Sequence, residues 1–230
     1  MKIFCDSADY KNFLKYKRDI FVKGFTTNPS LMRLAGAKNY KAYSIKLLKI
    51  SNSKPVSLEV FSDNINQMYE QGKIINKWGK NVYVKIPVVN TKGQFTGKTI
   101  EKLSKENIKL NITAVYTFEQ VKKITKKLNK KSKAIISIFA GRMGDQLKNP
   151  IPIFKKSISF TKKYRNIEIL WASTRETYNY LEAKQLGCQI ITAPPKIIDQ
   201  IKNSNKSYNQ LTIDTVKGFY KDAKKNKFKL

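Results

Sequence analysis

Eight short apolar runs, rich in Val, Ile or Phe and separated by longer amphipathic stretches, constrain this chain more than any other feature. They are Ile3–Asp6, Phe21–Phe25, Val56–Phe61, Val82–Val88, Leu110–Val115, Ala134–Phe139, Ile167–Ala172 and Cys188–Ala193. Short β-branched runs of this kind read as buried strands. The segments between them, such as Tyr40–Ile50 (Tyr43, Ile45, Leu47, Leu48), Asn64–Trp78 and Pro152–Lys163, carry apolar residues at helical spacing. Eight strands alternating with helices predict an α/β fold, a (β/α)8 TIM barrel; a doubly wound open sheet is the alternative. No linker or low-complexity stretch interrupts the pattern, so residues 1–230 read as a single domain. After the eighth strand, Ile213, Val216, Phe219 and Tyr220 predict an additional C-terminal helix over about residues 208–228. That helix must pack on the barrel or on a neighbouring subunit.

The chain contains no histidine. This excludes a Ser-His-Asp triad, a Cys-His dyad and any metal site or proton shuttle built on imidazole. Acid–base work falls to Asp, Glu, Lys, Tyr or bound water. Two cysteines far apart, Cys5 and Cys188, fit a reducing compartment and small core positions rather than a disulfide scaffold. The N-terminus lacks a signal core, and no run approaches the ~20 apolar residues of a membrane span. A cytoplasmic protein with no membrane partner is expected.

A net charge of +30 raises the possibility of nucleic-acid binding. The densest basic stretch, Val121 to Lys131, belongs to a segment with Phe118, Val121, Ile124 and Leu128 on one helical face, which reads as a surface helix packed on a core. Of 46 basic residues only Arg18, Arg33, Arg142, Arg165 and Arg175 are arginines, so few forked donors exist for bases. Lys, Asn, Ile and Tyr are abundant, as in a gene of A/T-rich codons. No specific nucleic-acid partner is expected, whereas a positive field steers phosphorylated small molecules.

Polar residues cluster where strands end, the face on which parallel barrels carry their chemistry. These are Asp6, then Thr26-Thr27-Asn28, Glu59, Lys85, Asn111 with Thr113, Ser137 with Arg142 beyond it, and Ser173 with Arg175. Lys85 stands in Val82-Tyr83-Val84-Lys85-Ile86-Pro87-Val88-Val89. A lysine there must be paired, or burial lowers its pKa toward the neutral nucleophile that forms Schiff bases. The alternative is a strand-end lysine whose ammonium snorkels to water. Charged residues in three apolar runs are hard to explain as packing, because unpaired buried charges cost several kcal/mol each. A barrel lets Asp6, Glu59 and Lys85 share one mouth, and Arg142 and Arg175 supply donors suited to phosphate. Carboxylates, a strand lysine and a phosphate clamp suggest Schiff-base aldol chemistry on a sugar phosphate.

Motifs in chain order sharpen this reading. Gly24-Phe25-Thr26-Thr27-Asn28-Pro29-Ser30-Leu31 resembles the transaldolase signature after the second strand, and Val84-Lys85-Ile86-Pro87 its Schiff-base strand. Asn111-Ile112-Thr113 is similar to its fifth-strand motif, and Ser137 to Arg142 and Ala172 to Arg175 to its phosphate-end motifs. Gly187 to Pro195 resembles its eighth strand. The resemblance covers nearly the whole chain and is to the short transaldolase subfamily, which also contains fructose-6-phosphate aldolases. Ile138, where proline is usual, and Thr174, where an aromatic is common, depart from the pattern.

The resemblance implies a transaldolase that moves a dihydroxyacetone unit between sugar phosphates, with no metal and no cofactor because an iminium serves as the electron sink. Lys85 would form the Schiff base, Asp6 would take the C4 hydroxyl proton, and Glu59 with Thr113 would relay protons through a water. Thr26, Asn28, Asn111, Ser137, Phe139 and Ser173 would line the substrate site, and Arg142 with Arg175 would hold the phosphate. Glu59 and Phe139 match the transferase branch; the aldolase branch carries glutamine and tyrosine there. A homo-oligomer of five or ten subunits, with the C-terminal helix reaching a neighbour, is implied as well. Each residue also has a plainer reading. Asn28 could cap the helix opening at Pro29, Thr113 could reflect β propensity, Arg175 could pair with Glu176 at the surface, and Glu59 could face water from an edge strand.

Overall fold

A computed structural model describes residues 1–229. Its strands are β1 (Lys2–Asp6), β2 (Val22–Thr26), β3 (Val56–Glu59), β4 (Val82–Pro87), β5 (Leu110–Val115), β6 (Ala134–Phe139), β7 (Ile167–Ala172) and β8 (Ile190–Ala193). They pair in parallel in chain order, and β8 returns to β1, closing the barrel. This is the TIM-barrel architecture, not the open sheet. Asparagine starts several of the outer helices: Asn28, Asn39 and Asn64 each accept backbone N–H groups of the first turn. In the helix Phe118–Lys127, Val121 and Ile124 are buried while Lys122 pairs with Glu119 and Lys127 with Glu101, the solvated basic face expected.

Strand ends differ from the apolar runs where an apolar residue spills into a turn. Phe21 lies outside β2, its N–H held by the Asp19 carboxylate. Phe61 lies beyond β3, where Gln71 accepts the N–H groups of Phe61 and Ser62. Cys188 follows the left-handed Gly187 and bonds back to the Ala183 carbonyl, so β8 begins only at Ile190. Both cysteines are buried and free. The helix Tyr208–Lys225 forms as expected but buries none of its residues; Val216 is 60% and Phe219 71% exposed. Within one chain it does not pack on the barrel.

Candidate active site

Side chains alternate along a strand, so every second residue points into the barrel. The interior floor is apolar: Phe4, Ile135, Leu170, Ala172 and Ile190 form one buried cluster, with Tyr83 and Phe139 packed against it. A Cβ on Gly24 would meet the Phe4 ring at 2.7 Å, so β2 presents a glycine where β1 needs room for an aromatic. Two residues further toward the strand ends, the same faces turn polar. Asp6 follows Phe4, Thr26 follows Gly24, Lys85 follows Tyr83, Ser137 follows Ile135, and Thr192 follows Ile190. A polar cavity of about 170 Å³ results, lined by these residues and by Asn28, Thr113, Phe139, Arg142, Ala172, Ser173 and Arg175.

Lys85 is only 5% exposed and is paired. Its Nζ lies 3.1 Å from Glu59 Oε2 and donates to the Thr27 carbonyl at 2.9 Å. Register explains the ion pair, because Glu59 and Lys85 are direct partners across β3 and β4. Glu59 is therefore not a solvent-facing edge residue, nor is Lys85 a snorkelling one. The half-buried Tyr40 fixes the Glu59 backbone from behind, its hydroxyl accepting the Glu59 N–H at 3.0 Å and donating to its carbonyl at 2.8 Å. Desolvation pushes the Tyr40 phenol well above its ordinary range, so it remains a neutral brace.

Asp6 and Thr26 are register partners on β1 and β2. Thr26 Oγ1 donates to Asp6 Oδ1 at 2.7 Å, and the Thr192 hydroxyl lies against Thr26 Oγ1. With the Thr26 proton committed to the carboxylate, Thr192 is the donor in the second bond. Burial holds the Asp6 carboxyl above the ordinary carboxylate range, while the Lys85 ammonium and the Thr26 hydroxyl pull it down. A carboxylate with raised proton affinity, close enough to a lysine to feel its charge, suits a group that takes up and returns protons.

Asn111 is wholly buried beneath the cavity, donating to Ser57 Oγ at 3.0 Å and accepting from Ser137 Oγ at 2.7 Å. It orients Ser137 rather than lining the cavity wall. The buried Thr113 hydroxyl has no protein partner although it lines the cavity, which β propensity alone does not explain. Asn28 combines its two readings: Oδ1 caps the helix Pro29–Leu34 through the Leu31 N–H at 2.8 Å, while the residue lines the cavity.

The far end is built by the short helix Ala140–Gly144 after β6 and by the loop after β7. Arg142 lies over the Phe139 ring, its guanidinium carbon 6.0 Å from the centroid. Arg175 does not pair with Glu176. It forks onto Asp145, with Nη2 2.6 Å from Oδ2. Ser173 is left-handed at φ +64°, and Arg142 and Arg175 both continue from the cavity into a wider outer groove. Thus ten of the twelve residues singled out in the sequence line one cavity, with Glu59 and Asn111 directly behind it. Sequence reasoning missed Thr192, which the period of two from interior Ile190 identifies, and Tyr40 and Asp145, which carry no local sequence signal.

Among solved structures, the fold is similar to a putative dihydrodipicolinate synthase family protein from Coccidioides immitis (TM-score 0.62, 10% identity, 83% of this chain and 65% of that chain). It is also similar to N-acetylneuraminate lyase from Mycoplasma synoviae (TM-score 0.58, 13% identity, 95% and 80% covered). At such identities the likeness concerns the barrel alone. In sequence, the chain is 31% identical to a probable transaldolase of Caldicellulosiruptor saccharolyticus over 98% of both proteins. It is 32% identical to a probable transaldolase of Nitrosopumilus maritimus over 99% of this chain and 96% of the other. The model of the transaldolase/fructose-6-phosphate aldolase family matches residues 3–230. This chain belongs to the transaldolase/fructose-6-phosphate aldolase family.

Proposed function

We propose that the protein is a transaldolase that moves a dihydroxyacetone unit from sedoheptulose 7-phosphate or fructose 6-phosphate to an aldose phosphate through a Schiff base on Lys85, as in the non-oxidative pentose phosphate pathway. The observation that carries this reading is the buried Lys85 amine, held between the Glu59 carboxylate and the Thr27 carbonyl in a cavity that Asp6 also lines. Once Lys85 has passed a proton toward Glu59, its free amine attacks the C2 carbonyl, and the carbinolamine loses water to give an iminium. Asp6 takes the C4 hydroxyl proton as the C3–C4 electron pair moves into the iminium. An aldose phosphate departs and an enamine remains on Lys85. Addition to a second aldehyde and hydrolysis reverse these steps, with Glu59 and the unpartnered Thr113 hydroxyl positioning the water. Arg142 and Arg175 face the phosphate end.

Glu59 and Phe139 favour transfer over release of free dihydroxyacetone, following the family resemblance. The exposed apolar residues of Tyr208–Lys225 suit a homo-oligomer, and two buried free thiols suit the cytoplasm. No helix among the described residues is long and apolar enough to cross a membrane. The decisive experiment is borohydride trapping with fructose 6-phosphate followed by peptide mapping. We expect labelling at Lys85 alone and none in Lys85→Met, which keeps the stem volume. Labelling of another lysine with Lys85 unmodified sinks the assignment.

A further inference from the structure

Arg175 turns one edge of its guanidinium toward a carboxylate of its own chain. Nε lies 3.1 and 3.2 Å from the two Asp145 oxygens, and Nη2 lies 2.6 Å from Oδ2. A guanidinium carries five N–H donors. The Asp145 pair occupies Nε–H and one hydrogen of Nη2, leaving Nη1 and the second Nη2 hydrogen for another acceptor. Arg142 has no ion-pair partner among the described residues. Both arginines line the inner cavity and the outer groove, whereas Asp145 lines only the groove. The carboxylate thus stands on the outer side of the arginine pair, opposite Lys85.

Stability does not account for this arrangement. The two side chains are 49% and 46% exposed, and ion pairs at such exposure contribute little. Both ends are nevertheless anchored. The Asp145 N–H donates to the Gly141 carbonyl at 2.8 Å, and the Arg175 N–H to Asn179 Oδ1 at 3.0 Å. The bonds from Arg175, helped by the charge of Arg142, keep the Asp145 carboxyl below its ordinary range. Its negative charge therefore persists where a phosphate monoester takes its second charge, near pH ~6.

We propose that Asp145 is a specificity-determining counter-ion of the phosphate end: it halves the net charge the two arginines present. This rests on the transaldolase reading, which assigns the phosphorylated end of the substrate to these arginines. Without Asp145, two full positive charges would face a dianion. A transferase must release a phosphorylated aldose in every cycle, and grip that is equal in ground and transition states does not raise turnover. Asp145 weakens that grip.

The test uses the full chain and two variants that remove the charge, Asp145→Asn, which keeps one acceptor oxygen, and Asp145→Ser. Inorganic phosphate is titrated calorimetrically at low salt and neutral pH, and KM is measured for erythrose 4-phosphate and for erythrose as acceptors. We expect both variants to bind phosphate roughly three- to tenfold more tightly, the scale of one like charge removed over several ångströms near the surface. KM for erythrose 4-phosphate should fall in parallel and that for erythrose should stay within about twofold. Unchanged or weaker phosphate binding in both variants overturns the proposal and leaves Asp145 a scaffold for Arg175. The functional reading fails separately: a parent that binds phosphate but transfers no dihydroxyacetone unit sinks that reading, whereas an active parent with unaltered phosphate binding in the variants sinks only the counter-ion.

Discussion

A Cβ atom on Gly141 would stand 1.7 Å from the carbonyl oxygen of Ser173. The short helix Ala140–Gly144 after β6 and the loop after β7 therefore touch backbone to backbone, and that contact joins Arg142 and Asp145 on the first to Ser173 and Arg175 on the second. No rotamer relieves a clash with a carbonyl, so the helix or the loop must move. We expect Gly141→Ala to cost about 1–3 kcal/mol of stability, as overpacking does. It should also weaken binding of fructose 6-phosphate more than of fructose, because both arginines shift. Equal losses for the two sugars, measured by calorimetry, would show that the contact serves only the fold.

Asp6 ties function to a stability cost. Its folded-state pKa is raised, mainly by desolvation. Such a group contributes most to stability when protonated, below the unfolded pKa of about 3.9, and that contribution is lost as pH rises through the higher folded value. Above the unfolded value the Asp6 carboxyl is therefore a burden on the fold. Asp6→Asn should melt at a higher temperature than the parent near pH 7, with the difference shrinking as pH falls toward about 4. The same variant should lose about 10²–10⁴-fold in carbon–carbon cleavage. A lower melting temperature at neutral pH would mean that attraction to Lys85 outweighs desolvation.

How much of this was legible in the sequence follows the physics of each signal. β-branched runs and helical spacing are local and strong, so all eight strands and the barrel could be read from them. Phe21, Phe61 and Cys188 misled the boundaries because turns also use apolar residues, and only the hydrogen bonds to Asp19, Gln71 and Ala183 decide where pairing stops. Charged residues in apolar strands are costly without a purpose, which made Asp6, Glu59 and Lys85 stand out. The partners that tune them are ordinary residues in unremarkable places. Tyr40 reaches Glu59 from an outer helix, and Asp145 reaches Arg175 across 30 residues; neither proximity has a spacing rule.

The helix Tyr208–Lys225 exposes Leu211, Ile213, Val216, Phe219 and Tyr220. Ile213, Val216, Phe219 and Tyr220 share one face at helical spacing, which points to coverage by another surface, and a second copy of the chain is the occupant we expect. The protein should sediment as a pentamer or decamer, and Val216→Asp or Phe219→Asp should dissociate it without unfolding the barrel. Sedimentation velocity of the parent as a monomer at micromolar concentration would rule this out.

Glu59 and Phe139 should set the balance between transferring the dihydroxyacetone unit and releasing it. Phe139 sits on the cavity wall at the end of β6, between the interior floor and Arg142. A hydrocarbon edge there offers the enamine no proton. Phe139→Tyr would bring a phenolic donor into the same cavity, able to order a water and protonate the carbanion before an acceptor arrives. Glu59→Gln would remove the carboxylate beside Lys85 and with it the charge that pairs the ammonium. Both changes should raise free dihydroxyacetone released from fructose 6-phosphate without acceptor, relative to transfer onto erythrose 4-phosphate. The parent should release it far more slowly than it transfers it. Equal rates with and without acceptor in the parent would make the protein a fructose-6-phosphate aldolase.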